Sequence, residues 1–208
     1  MMKKIVFDFD GTLLDSRRRH VVVLRDCLRS LGIVNMDLNE YLTYKADGNS
    51  TYSFLCKKLL LPEELSEKIS KRWVSIIEQD EYLKQDILYE DSADTLKDCA
   101  KMAELYLLSA RSNEEALHRQ VESHYLKKYF QKVICVSPMK AVAGKLEALR
   151  MIQPCLIVGD TEVEYQVAEK MKIPYYLVHR GFRSEKYFSQ RKIRSYENLN
   201  QLKKMLEL

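Results

Sequence analysis

No two cysteines in this chain are spaced as CxxC. The five present, Cys27, Cys56, Cys99, Cys135 and Cys155, are odd in number and widely separated. They read as reduced core thiols of a cytoplasmic protein, not as a disulfide framework. No apolar run reaches the roughly 18 residues of a membrane span, so no membrane partner is expected. The N-terminal MMKK passes straight into a strand, without a signal-peptide pattern. His20, His118, His124 and His179 show no ligand spacing and carry no expected catalytic role. There is no internal repeat and no low-complexity linker. Strong charge of one sign is missing too: the formal net charge is +4. Without a clustered basic stripe, nucleic acid is not an expected partner. A mildly positive surface suits small anionic substrates.

The chain has enough to build a sizeable core. It has 208 residues, of which 46% are hydrophobic and 31% charged, an ordinary globular balance. Residues 4–8 read as a strand. Residues 17–31 read as a helix, with Val21, Leu24, Leu28 and Leu31 at helical spacing and Gly32 as its stop. Segments 38–46, 50–61 and 63–80 also read as helices. Pro62 followed by Glu63 and Glu64 marks the last start. From residue 91 the pattern alternates. Helices are expected over 91–101, 113–126, 140–151, 164–172 and 198–207, and strands over 103–110, 132–137, 155–160 and 174–179. Short apolar strands alternating with helices mean an α/β fold, a Rossmann-like parallel sheet covered by helices on both faces. Ligands bind beyond the carboxyl ends of such strands.

The polar residues at those ends carry the chemistry. The first strand runs into Asp8 and Asp10, the second ends in Ser109, the third in Ser137, and the fourth in Gly159-Asp160. Asp8, Asp10 and Asp160 are expected as three carboxylates on one rim. Like charges at close range need a counter-charge. A hard divalent cation supplies one, and oxygen donors with open positions suit Mg²⁺ over zinc. Residues two apart at a strand end face the same side. One carboxylate can attack phosphorus while its neighbour handles protons. Gly11 lets the backbone turn sharply under the site.

These motifs resemble the haloacid dehalogenase superfamily. DFDGTLLDS resembles its first motif, LYLLSAR its second, and LIVGDTEVE its fourth. The resemblance covers nearly the whole chain, and it implies a hydrolase of small phosphate monoesters. Asp8 is then the nucleophile and Asp10 the acid and base. Mg²⁺ is held by Asp8, the backbone carbonyl of Asp10, and Asp160. Gly11, Thr12, Ser109, Ala110 and a lysine surround the phosphate. Lys145 is preferred for that lysine, with Lys140 as its competitor. The second aspartate favours a phosphatase or a phosphomutase over relatives that act on other bonds. Sugar-phosphate mutase activity is the first alternative, and a non-catalytic binding protein the second.

Three positions depart from the pattern. Glu164 stands where a second aspartate is usual, with Glu162 nearby, and the longer acid could bind a metal-bound water or the lysine, or shift the metal. Ala110 replaces a frequent asparagine. Arg111 could substitute for it, although an exposed arginine at a helix start is the plainer reading. The helical region resembles the cap of the phosphoglycolate phosphatase-like and phosphoglucomutase-like branch. It divides the chain into a core of residues 1–15 and 88–208 and a cap of residues 16–87. The run RRRH (17–20) reads as a solvated face, with one arginine reaching an acidic group of the substrate as the alternative. Asn49 and Ser50 are possible substrate contacts or a turn with a helix cap. Trp73 reads as cap core, and the basic stretch 180–194 as surface. A monomer is expected, with a small phosphorylated metabolite as its partner.

Overall fold

The structure, a computed structural model, describes residues 2–206. Strand β1, Lys3–Phe7, is followed by the two-residue strand β2, Leu14–Asp15. Five helices come next: α1 Arg17–Arg29, α2 Tyr41–Ala46, α3 Thr51–Lys57, α4 Glu63–Ile76 and α5 Asp80–Leu83. Strand β3, Ile87–Leu88, returns antiparallel to β2. Then α6 Ser92–Cys99, β4 Ala103–Ala110, α7 Glu114–Ser123, β5 Phe130–Val136, α8 Ala141–Ile152, β6 Leu156–Gly159, α9 Glu162–Met171 and β7 Tyr175–Leu177 alternate. Helices α10, Glu185–Ser189, and α11, Leu202–Leu206, follow.

The main sheet is parallel throughout, in the order β5-β4-β1-β6-β7. Alternation along each strand feeds two cores, because successive side chains point to opposite faces. Ile5 and Phe7 of β1 join Leu156 and Val158 of β6 under α6, α7 and α11. Val6 and Ile157 join Leu149 and Ile152 of α8 and Val167 and Ala168 of α9 on the other face. A third cluster unites Val23, Leu24, Cys27 and Leu28 of α1 with Tyr41, Phe54, Leu55 and Ile69. The helical segment therefore holds its own apolar centre, above the carboxyl ends of the sheet.

Several boundaries differ from the sequence reading. The helix expected over 63–80 stops at Ile76, and α5 starts afresh at Asp80. Glu78 in the break takes the backbone N–H groups of Ser112 and Asn113 at 3.0 and 2.6 Å. The break therefore ties the helical segment to the sheet side, as does the Asp80–Arg119 ion pair at 3.0 Å. The β2–β3 ladder is too short for any periodic signal. The last helix covers 202–206 instead of 198–207, whose final residue lies outside those described. Stretch 180–194 is not plain surface. It contains α10, and Tyr187, Phe188 and Ile193 in it are buried. Its Ser184 N–H donates to the Ala46 carbonyl at the end of α2 (3.1 Å).

Among the described residues, no helix is long and apolar enough to cross a membrane. All five cysteines are free thiols.

Candidate active site

Three adjacent strands bring the site together. Asp8 follows β1 and its N–H donates to Val158 of β6 at 2.8 Å. Ser109 sits near the end of β4, and Asp160 follows β6. Because β4, β1 and β6 are neighbours, residues far apart in sequence meet at one edge. Asp8, Asp10, Ser109, Ala110, Lys145 and Asp160 line one cavity of about 340 Å³. Gly11 and Thr12 are not on its wall. They form the turn beneath it, and the Thr12 carbonyl accepts from Arg180 at 2.8 Å. Gly11 holds φ at +80°, and a Cβ there would run into the Asp160 carboxylate.

Lys145 projects from α8 and reaches Asp8 Oδ1 at 2.6 Å and Glu164 Oε1 at 2.5 Å. Lys140 is exposed. Burial alone would push Lys145 down; Asp8 and Glu164 more than offset it and hold the ammonium above the ordinary lysine range. Glu164 also accepts from Thr161 N (3.2 Å) and Oγ1 (2.7 Å), closing a capping box at the start of α9. Its side chain lies against Gly159, where a Cβ would collide with it. Glu164 thus faces the lysine and its own helix end.

Asp10 shares the rim with Asp8 and Asp160 but is paired differently. Its side chain is held by guanidinium groups. Arg111 forks onto it at 2.7 and 2.9 Å, and Arg19 of α1 pairs with Oδ1 as well. Burial opposes ionisation, but Arg111 and Arg19 outweigh it and keep the Asp10 carboxyl below its usual range. Among the described residues, no three acidic, histidine or cysteine side chains group as a metal cage. Arg111 and Arg19 supply the counter-charge that faces the Asp10 side chain. Two sequence expectations are corrected here. Arg111 is buried, not exposed, and Arg19 of the RRRH run is buried, not solvated. Asp86, beside β3, faces Arg19 at 3.3 Å without an aligned hydrogen bond, and it accepts from Gln120 at 2.8 Å. Burial pushes Asp86 up to about 7.

Two carboxylates remain for a cation. Asp160 Oδ1 is buried without a partner, while its Oδ2 accepts from Phe182 N at 2.7 Å. Burial, with Asp8 and Glu164 adding to it, raises Asp160 well above its ordinary range. Burial likewise pushes Asp8 up to about 7, against the pull of Lys145. Buried carboxylates held off ionisation, one with an orphaned oxygen, are what a hard cation relieves. With the Asp10 carbonyl they fit Mg²⁺, which takes few protein ligands and leaves room for water and phosphate.

The outer wall is aromatic. His20, Trp73 and Phe182 line it with Val74 and Ile77. Phe182 and Gly181 come from the stretch read as surface; a Cβ on Gly181 would strike Asp160 and Gly11. No sequence pattern marks them, because they reach the site only through the fold after β7. Trp73 packs against the apolar centre of the helical segment as well as facing the cavity. Asn49 and Ser50 stay outside the cavity. Ser50 caps α3 by accepting from Ser53 N, and Asn49 donates to the Tyr44 carbonyl.

A family model described as haloacid dehalogenase-like hydrolase matches residues 5–178. A search of curated proteins finds no match. Solved structures of similar fold include a haloacid dehalogenase-like family hydrolase from Streptococcus pneumoniae, 18% identical, covering 98% of each chain at a TM-score of 0.77. A predicted phosphatase from Clostridium acetobutylicum is 19% identical over 100% of each chain, with a TM-score of 0.72. A predicted phosphoglycolate phosphatase from Haemophilus somnus is 15% identical, covering 98% of this chain and 97% of its own, with a TM-score of 0.73. At these identities the likeness is one of fold.

Proposed function

Because the chain belongs to the haloacid dehalogenase-like hydrolase family, we propose that it is a Mg²⁺-dependent hydrolase of small phosphate monoesters. Residues 1–15 and 88–208 serve as its core and residues 16–87 as a cap over the site. The observation that carries this reading is the meeting of Asp8, Ser109, Lys145 and Asp160 on one cavity at the carboxyl edge of the sheet.

Asp8 attacks phosphorus, and the bond to the alcohol oxygen breaks. The phosphoryl group passes to the Asp8 carboxylate. Lys145, 2.6 Å from Asp8, is placed to hold a phosphoryl oxygen and to favour the ionised nucleophile. Ser109 offers a hydroxyl to a second oxygen. Asp8 and Asp160 with the Asp10 carbonyl would hold Mg²⁺, which when bound would neutralise phosphoryl charge. Asp10, kept as a carboxylate by Arg19 and Arg111, is in the form that takes a proton from water. That water attacks the aspartyl-phosphate, frees inorganic phosphate and restores Asp8. To protonate the departing alcohol oxygen first, Asp10 must loosen its hold on a guanidinium as substrate binds and take up a proton from solvent, which it then passes to that oxygen.

The test is phosphate release from a panel of small esters, with Mg²⁺ and with EDTA, on the wild type and Asp8→Asn. Turnover should need Mg²⁺ and should fall by more than about 10³-fold in the variant. Metal-independent turnover, or full activity in Asp8→Asn, overturns the reading.

A further inference from the structure

The half of the cavity beyond the phosphate floor has a chemistry of its own. The helical segment gives it His20, Trp73, Val74 and Ile77, and the loop after β7 gives it Phe182. The His20 ring lies 4.3 Å from Phe182 and 5.0 Å from Trp73, centroid to centroid. Three rings from three separate segments thus form one aromatic wall.

The charged groups that the helical segment sends to the cavity are already engaged. Arg19 is paired with Asp10 and Asp86. Glu78 is held by the N–H groups of Ser112 and Asn113. Trp73 Nε1 donates to the His20 carbonyl at 3.3 Å. His20 offers a ring, not a charge: burial first, then Lys45 and Arg19, hold its imidazole well below the ordinary histidine range. Its Nδ1 is buried and unpartnered. On the opposite side, Thr161 Oγ1 is bonded to Glu164.

A leaving group with many hydroxyls would lose its water here and, beyond His20 Nδ1 and Arg111 Nη1, find few open partners. Each unreplaced hydrogen bond is a penalty. A flat aromatic ring would bury its faces against rings and aliphatic side chains and lose little. At about 340 Å³, the cavity is at the small end for ligand sites.

We propose that the aromatic wall of His20, Trp73 and Phe182 selects phosphate monoesters of single-ring aromatic alcohols. This inference rests on the phosphatase reading above, and the test separates the two. Binding comes first, read by calorimetry with Mg²⁺ present, using benzylphosphonate and ethylphosphonate, which cannot be hydrolysed. Tighter binding of benzylphosphonate by about tenfold or more is expected. Trp73→Leu and Phe182→Leu should each shrink that ratio severalfold. Two variants guard against one that misfolds. Turnover comes second, comparing benzyl phosphate with ethyl phosphate, glucose 6-phosphate and 2-phosphoglycolate. Benzyl phosphate should lead in kcat/KM. Equal binding of the two phosphonates overturns the inference. A lead in kcat/KM for glucose 6-phosphate or for the carboxylate-bearing 2-phosphoglycolate also overturns it. Selective benzylphosphonate binding without turnover of any ester supports the wall and overturns only the phosphatase reading.

Discussion

Asp10 shows how much one buried side chain depends on its partners. Arg111 sits 101 positions away and Arg19 nine, yet both converge on the same carboxylate. Removing one member of a buried charge group leaves the others uncompensated, at a typical loss of about 3–5 kcal/mol. Arg111→Ala should destabilise the protein on that scale in chemical denaturation. Arg111→Lys should recover only part of it, since an ammonium cannot reproduce the two-pronged contact. A loss under about 1 kcal/mol in Arg111→Ala would mean that water replaces the guanidinium freely. At this scale the sequence was legible where a polar residue ends an apolar strand. Asp8, Ser109 and Asp160 announce themselves in that way, and Lys145 lies within one helix of them. Arg19 and Arg111 do not. A sequence does not distinguish an arginine facing water from one turned onto an acid, and only β4 lying beside β1 brings Arg111 to Asp10.

Elements divide by how long a pattern they carry. The five strands of the main sheet, four to eight residues long except β7 with three, read directly as apolar runs. The α4–α5 break did not, because residues 76–79 keep an apolar rhythm while the backbone turns. Its role is the clasp that Glu78 makes with the chain before α7. A carboxylate on two free N–H groups at a helix start acts like a cap and contributes about 1 kcal/mol. Glu78→Ala should speed amide hydrogen exchange at Ser112 and Asn113 and through α5, while the centre of β4 stays protected. Unchanged exchange at those amides would remove the clasp from the account. The other edge of the helical segment, where Ser184 meets Ala46, should respond less.

Across the whole molecule, Lys45 links stability to pH. Its Nζ lies 5.3 Å from the Trp73 ring centroid and 6.0 Å from that of Phe182. Burial, with Arg183 nearby, lowers it from 10.5 to about 8. The folded chain therefore releases this proton at about 8, while the unfolded chain keeps it to about 10.5. Between those values the unfolded state binds more protons, so raising pH favours the fold. Below about 8 the buried charge is a penalty of order 1–3 kcal/mol. Lys45→Met should be more stable than the wild type at pH 7, with the gap closing towards pH 10 in thermal melts. A gap that stays constant would sink the assignment. The two-residue ladder of β2 and β3 has a consequence at this same scale. The chain leaves the sheet at Asp15 and comes back at Ile87, its antiparallel partner. Whatever hangs from that closed stem adds no strain to the strands below, however long it grows, since loop closure rises only slowly with length. Exchanging that piece of chain alters what is admitted, but Arg19 goes with it, so a replacement must bring its own cation to the Asp10 carboxylate.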